Sequence, residues 1–184
     1  TYSLSGDDAA YCTLDSSTGE LSFDSAPDYE IKTTYTVTVT ASDSSTSTDQ
    51  VVTIDITNLN DNTPEITSAA AFTIDENETM VGTLAATDAD GDAVTLSIDG
   101  SDVDYLSLDS STYELTFDSA ADYETQTSYT ITLTATDGTY ATTQEITIDL
   151  NNLNDNSPQF STATSFTYDE NATSVIENQA IDAD

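Results

Sequence analysis

Tyr129-Thr130-Ile131-Thr132-Leu133-Thr134-Ala135-Thr136 alternates an apolar side chain with a hydroxyl-bearing or small one at every step. Period two is the mark of a β-strand with one face on a core and a threonine face turned away from it. Ile146, Ile148 and Leu150 alternate with Thr147 and Asp149 in the same way. Working outward, shorter runs read as strands at Phe72–Ile74, Val81–Ala85, Val94–Ile98, Tyr105–Leu108 and Glu114–Phe117. Asp90-Gly91-Asp92, Asp99-Gly100-Ser101 and Asp137-Gly138 supply turn chemistry between several of them. No helical period competes. Seven short strands within about 94 residues predict an all-β, Greek-key β-sandwich.

The run is duplicated. Shifted by 94, the 184-residue sequence aligns with itself without a gap, and 49 of the 90 overlapping positions are identical. Asp28-Tyr29-Glu30 falls on Asp122-Tyr123-Glu124, and Asn58-Leu59-Asn60-Asp61-Asn62 on Asn152-Leu153-Asn154-Asp155-Asn156. Asp75-Glu76-Asn77 falls on Asp169-Glu170-Asn171, and Asp88-Ala89-Asp90 on Asp182-Ala183-Asp184. A fixed long period is the signature of a repeat architecture. The expected organisation is the C-terminal part of one repeat at 1–62, a complete repeat at 63–156 and the N-terminal part of the next at 157–184. Repeats open at both ends lead us to expect a piece of a longer protein.

Composition narrows the chemistry. The chain carries 35 acidic residues, Lys32 as its one basic residue and no histidine, for a formal net charge of −34. Nucleic acid is excluded as a natural partner, because phosphates would be repelled, and an anionic membrane surface is disfavoured. Histidine-dependent triads, guanidinium clamps and thiolate zinc sites lack their residues. Cys12 has Leu106 as its counterpart and reads as a small buried hydrophobe. No apolar run reaches the ~20 residues that span a bilayer.

The informative acids lie at strand ends and connections. In a two-sheet sandwich, Asn58–Asn62 is an inter-repeat linker, with Pro64 opening the next repeat. Asp28 and Glu30 would flank it on one side, and Asp88, Asp90 and Asp137 on the other; with Asp61 they make six carboxylates. Two unit charges ~4 Å apart repel by roughly 4 kcal/mol at an effective dielectric of about 20. Such groups protonate, splay apart or bind cations. Oxygen-only donors in this number point to Ca²⁺ over zinc, copper or Mg²⁺.

These motifs resemble the cadherin repeat. Its Asp-x-Asn-Asp-Asn-x-Pro linker is similar to Asn58–Pro64 and Asn152–Pro158, and its Pro-Glu-Asn to Asp75-Glu76-Asn77 and Asp169-Glu170-Asn171. Its Asp-Arg-Glu resembles Asp28-Tyr29-Glu30 and Asp122-Tyr123-Glu124, and its Asp-x-Asp matches Asp88–Asp90 and Asp182–Asp184. Its late Ala-x-Asp matches Ala41-Ser42-Asp43 and Ala135-Thr136-Asp137. The resemblance implies immunoglobulin-like sandwiches joined end to end, with Ca²⁺ at each linker. Implied ligands at the first are Asp28, Glu30, Asn60, Asp61, Asp88, Asp90 and Asp137, with carbonyls of Leu59 and Asn62. At the second they are Glu76, Asp122, Glu124, Asn154, Asp155, Asp182 and Asp184; Asn58, Asn152, Leu153 and Asn156 complete the two linker motifs. Asparagine in place of the family's first linker aspartate (Asn58, Asn152) removes one charge from each site. The acidic composition resembles bacterial-type cadherin-like surface proteins.

The resemblance implies calcium-dependent cell-surface adhesion by repeats that Ca²⁺ rigidifies; the alternative is a structural extracellular filament or stalk. Expected partners are calcium ions, neighbouring repeats of the same chain, and homophilic contacts or another cell-surface molecule. No enzyme is expected. Asp88-Ala89-Asp90-Gly91-Asp92 superficially resembles an EF-hand loop, but Ala93 stands where that loop needs glycine. Carboxylate pairs for glycoside hydrolysis lack an aromatic-lined cleft in the sequence. Asp7, Asp8, Asp99, Asp102 and Asp104 read as a solvated face.

Overall fold

A computed structural model of the chain describes residues 1–171, 173 and 179–184. Contacts divide it into two compact units: Thr1–Asn62 with Ala89–Asp92, and Thr63–Asp88 with Ala93–Asp184. The first unit contains β1 (Tyr2–Ser5), β2 (Cys12–Leu14), β3 (Leu21–Phe23), β4 (Thr34–Ser42) and β5 (Ser47–Asp55). The second contains β6 (Glu65–Ile66), β7 (Ala71–Asp75), β8 (Met80–Thr83), β9 (Ala86–Thr87), β10 (Thr95–Asp99), β11 (Leu106–Leu108), β12 (Glu114–Phe117), β13 (Ser128–Thr136), β14 (Ala141–Asn151), β15 (Gln159–Phe160) and β16 (Ala180–Ile181). No helix among the described residues is long and apolar enough to cross a membrane.

The second unit is a β-sandwich. One sheet runs β10-β13-β14-β7 and faces β11-β12-β8. β13 and β14 form the long antiparallel hairpin, in register from Ser128↔Asp149 to Thr136↔Ala141. β7 joins the other edge of β14 in parallel, Thr147 opposite Ala71. The expected strand Phe72–Ile74 lies within β7; the two-residue β6, which the sequence reading did not mark, pairs β9 before the chain crosses to β14 as β7. Alternation along β13 puts Ile131, Leu133 and Ala135 in the core with no exposure, beside Leu84, Leu115, Ile146 and Ile148. Its threonines are half-buried rather than open, because β10 and β14 flank them on both sides.

The first unit has a β1-β4-β5 sheet and the β2-β3 hairpin, with Cys12, Tyr35 and Val37 buried. Here the solvated-face expectation needs correcting. Asp8 is buried, and its carboxylate accepts from the Thr36 N–H at 2.8 Å and from the Lys32 ammonium. Its counterpart Asp102 accepts from the Thr130 N–H at 2.7 Å and from the Gln126 amide at 3.3 Å. Each fastens a short 3₁₀ turn (Ala9–Tyr11, Val103–Tyr105) to the central strand of its sheet. Gly6 and Gly100 precede these turns with φ of 103° and 120°, and a Cβ at Gly100 would lie 3.2 Å from the backbone of Ile131 and Thr132.

Two predictions follow from these contacts. Gly100→Ala should lower the urea midpoint more than Gly138→Ala. Both residues have positive φ, but only at Gly100 does the added methyl meet backbone. Asp15 and its counterpart Asp109 accept turn N–H groups of Ser17 and Thr18, and of Ser111 and Thr112, each at 2.8 Å. These bonds hold both carboxyls below the ordinary range, led by the Ser17 hydroxyl at Asp15 and the Thr112 N–H at Asp109. A depressed folded pKa gives stability that is complete above the unfolded pKa and lost as pH falls through the folded one. Acid denaturation of Asp15→Asn and Asp109→Asn should therefore show a shallower loss below about pH 4 than the parent protein.

Candidate metal centres

In the first unit, Glu30, Asp61 and Asp90 bring carboxylate oxygens within 4.8 Å of one another. Asp90 is the organiser. Its Oδ2 accepts from the N–H groups of Asp61 (3.1 Å) and Asn62 (2.8 Å), and its Oδ1 from the Asn62 amide at 2.8 Å. The Asn58 amide donates to the Asp90 carbonyl at 2.7 Å. An aspartate at 58 would lack this donor, which gives a physical reason for asparagine there. Asp28 is not among the clustered acids; its Oδ1 accepts from Glu30 N–H (2.9 Å) and Ile31 N–H (3.1 Å) and shapes the loop that presents Glu30. Asn60 Oδ1 is buried without a hydrogen-bond partner. Asp88 and Asp137 belong to the second unit, where Asp137 Oδ1 accepts from Thr139 and Tyr140 in the β13–β14 turn. The first cluster is made without them.

The second unit repeats the arrangement. Glu76, Asp122 and Glu124 form one cluster, and Glu124, Asp155 and Asp184 another. Glu76 is 2 % exposed, yet both oxygens are used: Oε1 accepts from Leu153 N–H at 2.7 Å and Oε2 from Tyr123 N–H at 2.9 Å. It thereby ties the linker and the Asp122–Glu124 loop to the end of β7. Asn156 holds Asp184 through its N–H (3.0 Å) and its amide (2.9 Å), the counterpart of Asn62 on Asp90. An open cleft of about 450 Å³ lies over Glu76, Asp122, Glu124, Asp155 and Asn156. Within the linker the Leu153 carbonyl accepts from Asp155 N–H at 2.9 Å. Asp182 is not one of the clustered acids.

One contributor escaped the sequence reading. Asn77 takes a φ of 69°, a left-handed conformation that asparagine tolerates, and its amide donates to Asp155 Oδ2 at 2.6 Å. The Asp-Glu-Asn triplet was legible, but nothing in it tells a ligand from a clamp.

The electrostatics divide each cluster. Burial, with the charge of Asp90 beside it, pushes Glu30 upward; burial, with Glu76 and Asp184 nearby, does the same to Glu124. The Asn62 amide pulls Asp90 down, and the Asn156 amide pulls Asp184 down. Each site therefore pairs an aspartate whose charged form the amide and N–H donors favour with a glutamate whose charged form desolvation and neighbouring carboxylates disfavour, a repulsion that a bound cation would offset. Oxygen donors at this density, and an orphaned amide oxygen at Asn60, fit a hard cation such as Ca²⁺. In EDTA, Glu124→Gln should raise the thermal midpoint by relieving this repulsion. Glu76→Gln should lower stability by about 1–3 kcal/mol, since an amide cannot accept from both N–H groups; urea titration of each variant measures the two.

Residues 70–151 match the family described as Cadherin domain. Human Protocadherin Fat 1 is 32% identical over 176 residues, 88% of this chain and 4% of that protein. Mouse Protocadherin Fat 4 is 33% identical over 190 residues, 97% of this chain and 4% of that protein. The chain thus spans about one twenty-fifth of these relatives' length. The structure titled Protocadherin gammaB7 EC3-6 cis-dimer superposes with a TM-score of 0.83 at 24% identity, over 100% of this chain and 50% of that one, a likeness of fold. These relatives are animal proteins, so the expected bacterial-type character finds no support in them. Residues 70–151 are thus a cadherin domain, in a chain whose sequence is similar over most of its length to cadherin-family proteins.

Proposed function

We propose that this chain serves calcium-dependent cell adhesion on the outside of cells, as cadherin repeats whose linkers bind Ca²⁺. One observation carries the reading: Glu30, Asp61 and Asp90 in the first unit and Glu124, Asp155 and Asp184 in the second are the same three positions, 94 residues apart, gathered the same way twice. Chance acidic surface has no reason to repeat its geometry; a ligand set does. The repeat boundaries fall after Asn62 and Asn156, with part of 157–184 outside the described residues. At the first linker the ligands are Asp28, Glu30, Asn60, Asp61, Asp88, Asp90 and Asp137, and at the second Glu76, Asp122, Glu124, Asn154, Asp155, Asp182 and Asp184. Calcium would supply the positive charge the chain lacks; the chain's residues orient the oxygens, with Asn62 and Asn156 holding the aspartates ionised. The acids bind ions and perform no catalytic step. Partners are calcium, neighbouring repeats, and another cell-surface molecule, a second copy included.

Calorimetry should give calcium binding in the range of about 10⁻⁴–10⁻³ M expected of extracellular modules. Asp61→Asn and Asp155→Asn should each remove binding at their own linker, and ¹⁵N relaxation of Asn58–Asn62 amides should show slower local motion with calcium than with EDTA. Unchanged relaxation, or unchanged binding by both variants, would contradict the proposal.

A further inference from the structure

β7 lies at the edge of the second unit's larger sheet, and among the described residues β14 is its one neighbour in that sheet. The two strands run parallel, with Thr147 opposite Ala71 and Asn151 opposite Asp75. Hydrogen bonds continue past both ends of the ladder. Thr147 N–H donates to the Ala70 carbonyl at 2.9 Å, and Glu76 N–H to that of Asn151 at 3.1 Å. The Asn151 amide reaches Asp75 Oδ1 at 2.9 Å, and Leu153 N–H reaches Glu76 Oε1 at 2.7 Å.

In chain order these are the first and last strands of that sheet, so topology fixes how tension along the chain would meet them. The chain enters β7 at the Thr147 end of the pair and leaves β14 at the Glu76 end. Tension therefore draws β7 one way along the ladder and β14 the other. The evenly spaced bonds of a parallel pair then share the load, and none is lost until the strands slide together. Ahead of β7 the attachment is slight, since β6 holds β9 over two residues only.

Side chains oppose sliding as well. Phe72 and Ile74 pack against the buried core. The Phe72 ring sits in a notch over Gly82 of β8, where an added Cβ would lie 2.8 Å from Phe72 Cε1. Gly82 has no positive φ, so the ring rather than the backbone is the reason for a glycine there.

We infer that the β7–β14 pair is a shear clamp, and that it makes the second unit a load-bearing element under tension along the chain. The clamp is built of strand bonds and a keyed ring, independent of the adhesion reading and of calcium.

The test is single-molecule force spectroscopy of the full chain in EDTA, stretched from its two ends. After a minor release before β7, residues 71–151 should come out in one event of about 270 Å. The same unit should open at lower force with handles on Glu78→Cys and Ser157→Cys. Those positions lie at one end of the pair, beside the Asn77–Asp155 contact, and pulling there peels β14 bond by bond. Thr73 and Asp149 are exposed register partners, and neighbouring strands about 4.8 Å apart are within disulfide reach. In oxidised Thr73→Cys/Asp149→Cys the long event should vanish, and reduction should restore it. Equal forces in the two pulling directions, release of residues 71–151 in several small steps, or a long event that survives the disulfide would overturn the inference.

Discussion

Thirty-five carboxylates share one lysine, and that scarcity of positive charge governs how every acid in the chain is accommodated. Salt bridges cannot do it; Lys32 serves Asp8, the single ion pair among the described residues. Neutral donors do the rest. Hydroxyls answer carboxylates across neighbouring strands, as Thr34 does Asp55, Thr40 does Asp49 and Ser128 does Asp149. Turn N–H groups answer Asp15, Asp43, Asp109 and Asp137. The abundance of threonine therefore has two causes: β-branched side chains suit strands, and their hydroxyls supply donors where cations are missing.

Neutral donors run out where several acids meet. Around Asp90 and Asp184 each aspartate collects an asparagine amide and backbone N–H groups, while Glu30 and Glu124 beside them gain no comparable set and are pushed toward protonation. A fold that gathers carboxylates in this way is less repelled by itself once a divalent cation is present.

Much of this was legible in the sequence. Strict alternation at Tyr129–Thr136 gave the core face of β13, because a two-residue period has one structural meaning. The 94-residue shift located both acid clusters, because identical residues at identical spacing fold alike. What escaped had a common physical cause: polar side chains acting at a distance in sequence. Asp8 and Asp102 looked like solvated acids until the strands brought Thr36 and Thr130 to them. Asn58, Asn62, Asn77 and Asn156 each donate an amide that fixes a neighbouring carboxylate or carbonyl, a role the motifs do not disclose. β6 escaped because two residues, Glu65 and Ile66, are too few to show a period.

The central claim is that the gathered carboxylates await calcium, and a crystal structure grown with millimolar CaCl₂ tests it most directly. The account predicts anomalous-scattering peaks with oxygens of Glu30, Asp61 and Asp90, and of Glu124, Asp155 and Asp184, at about 2.3–2.6 Å. Peaks scattered over other surface acids, or these clusters ordered around water alone, would contradict it.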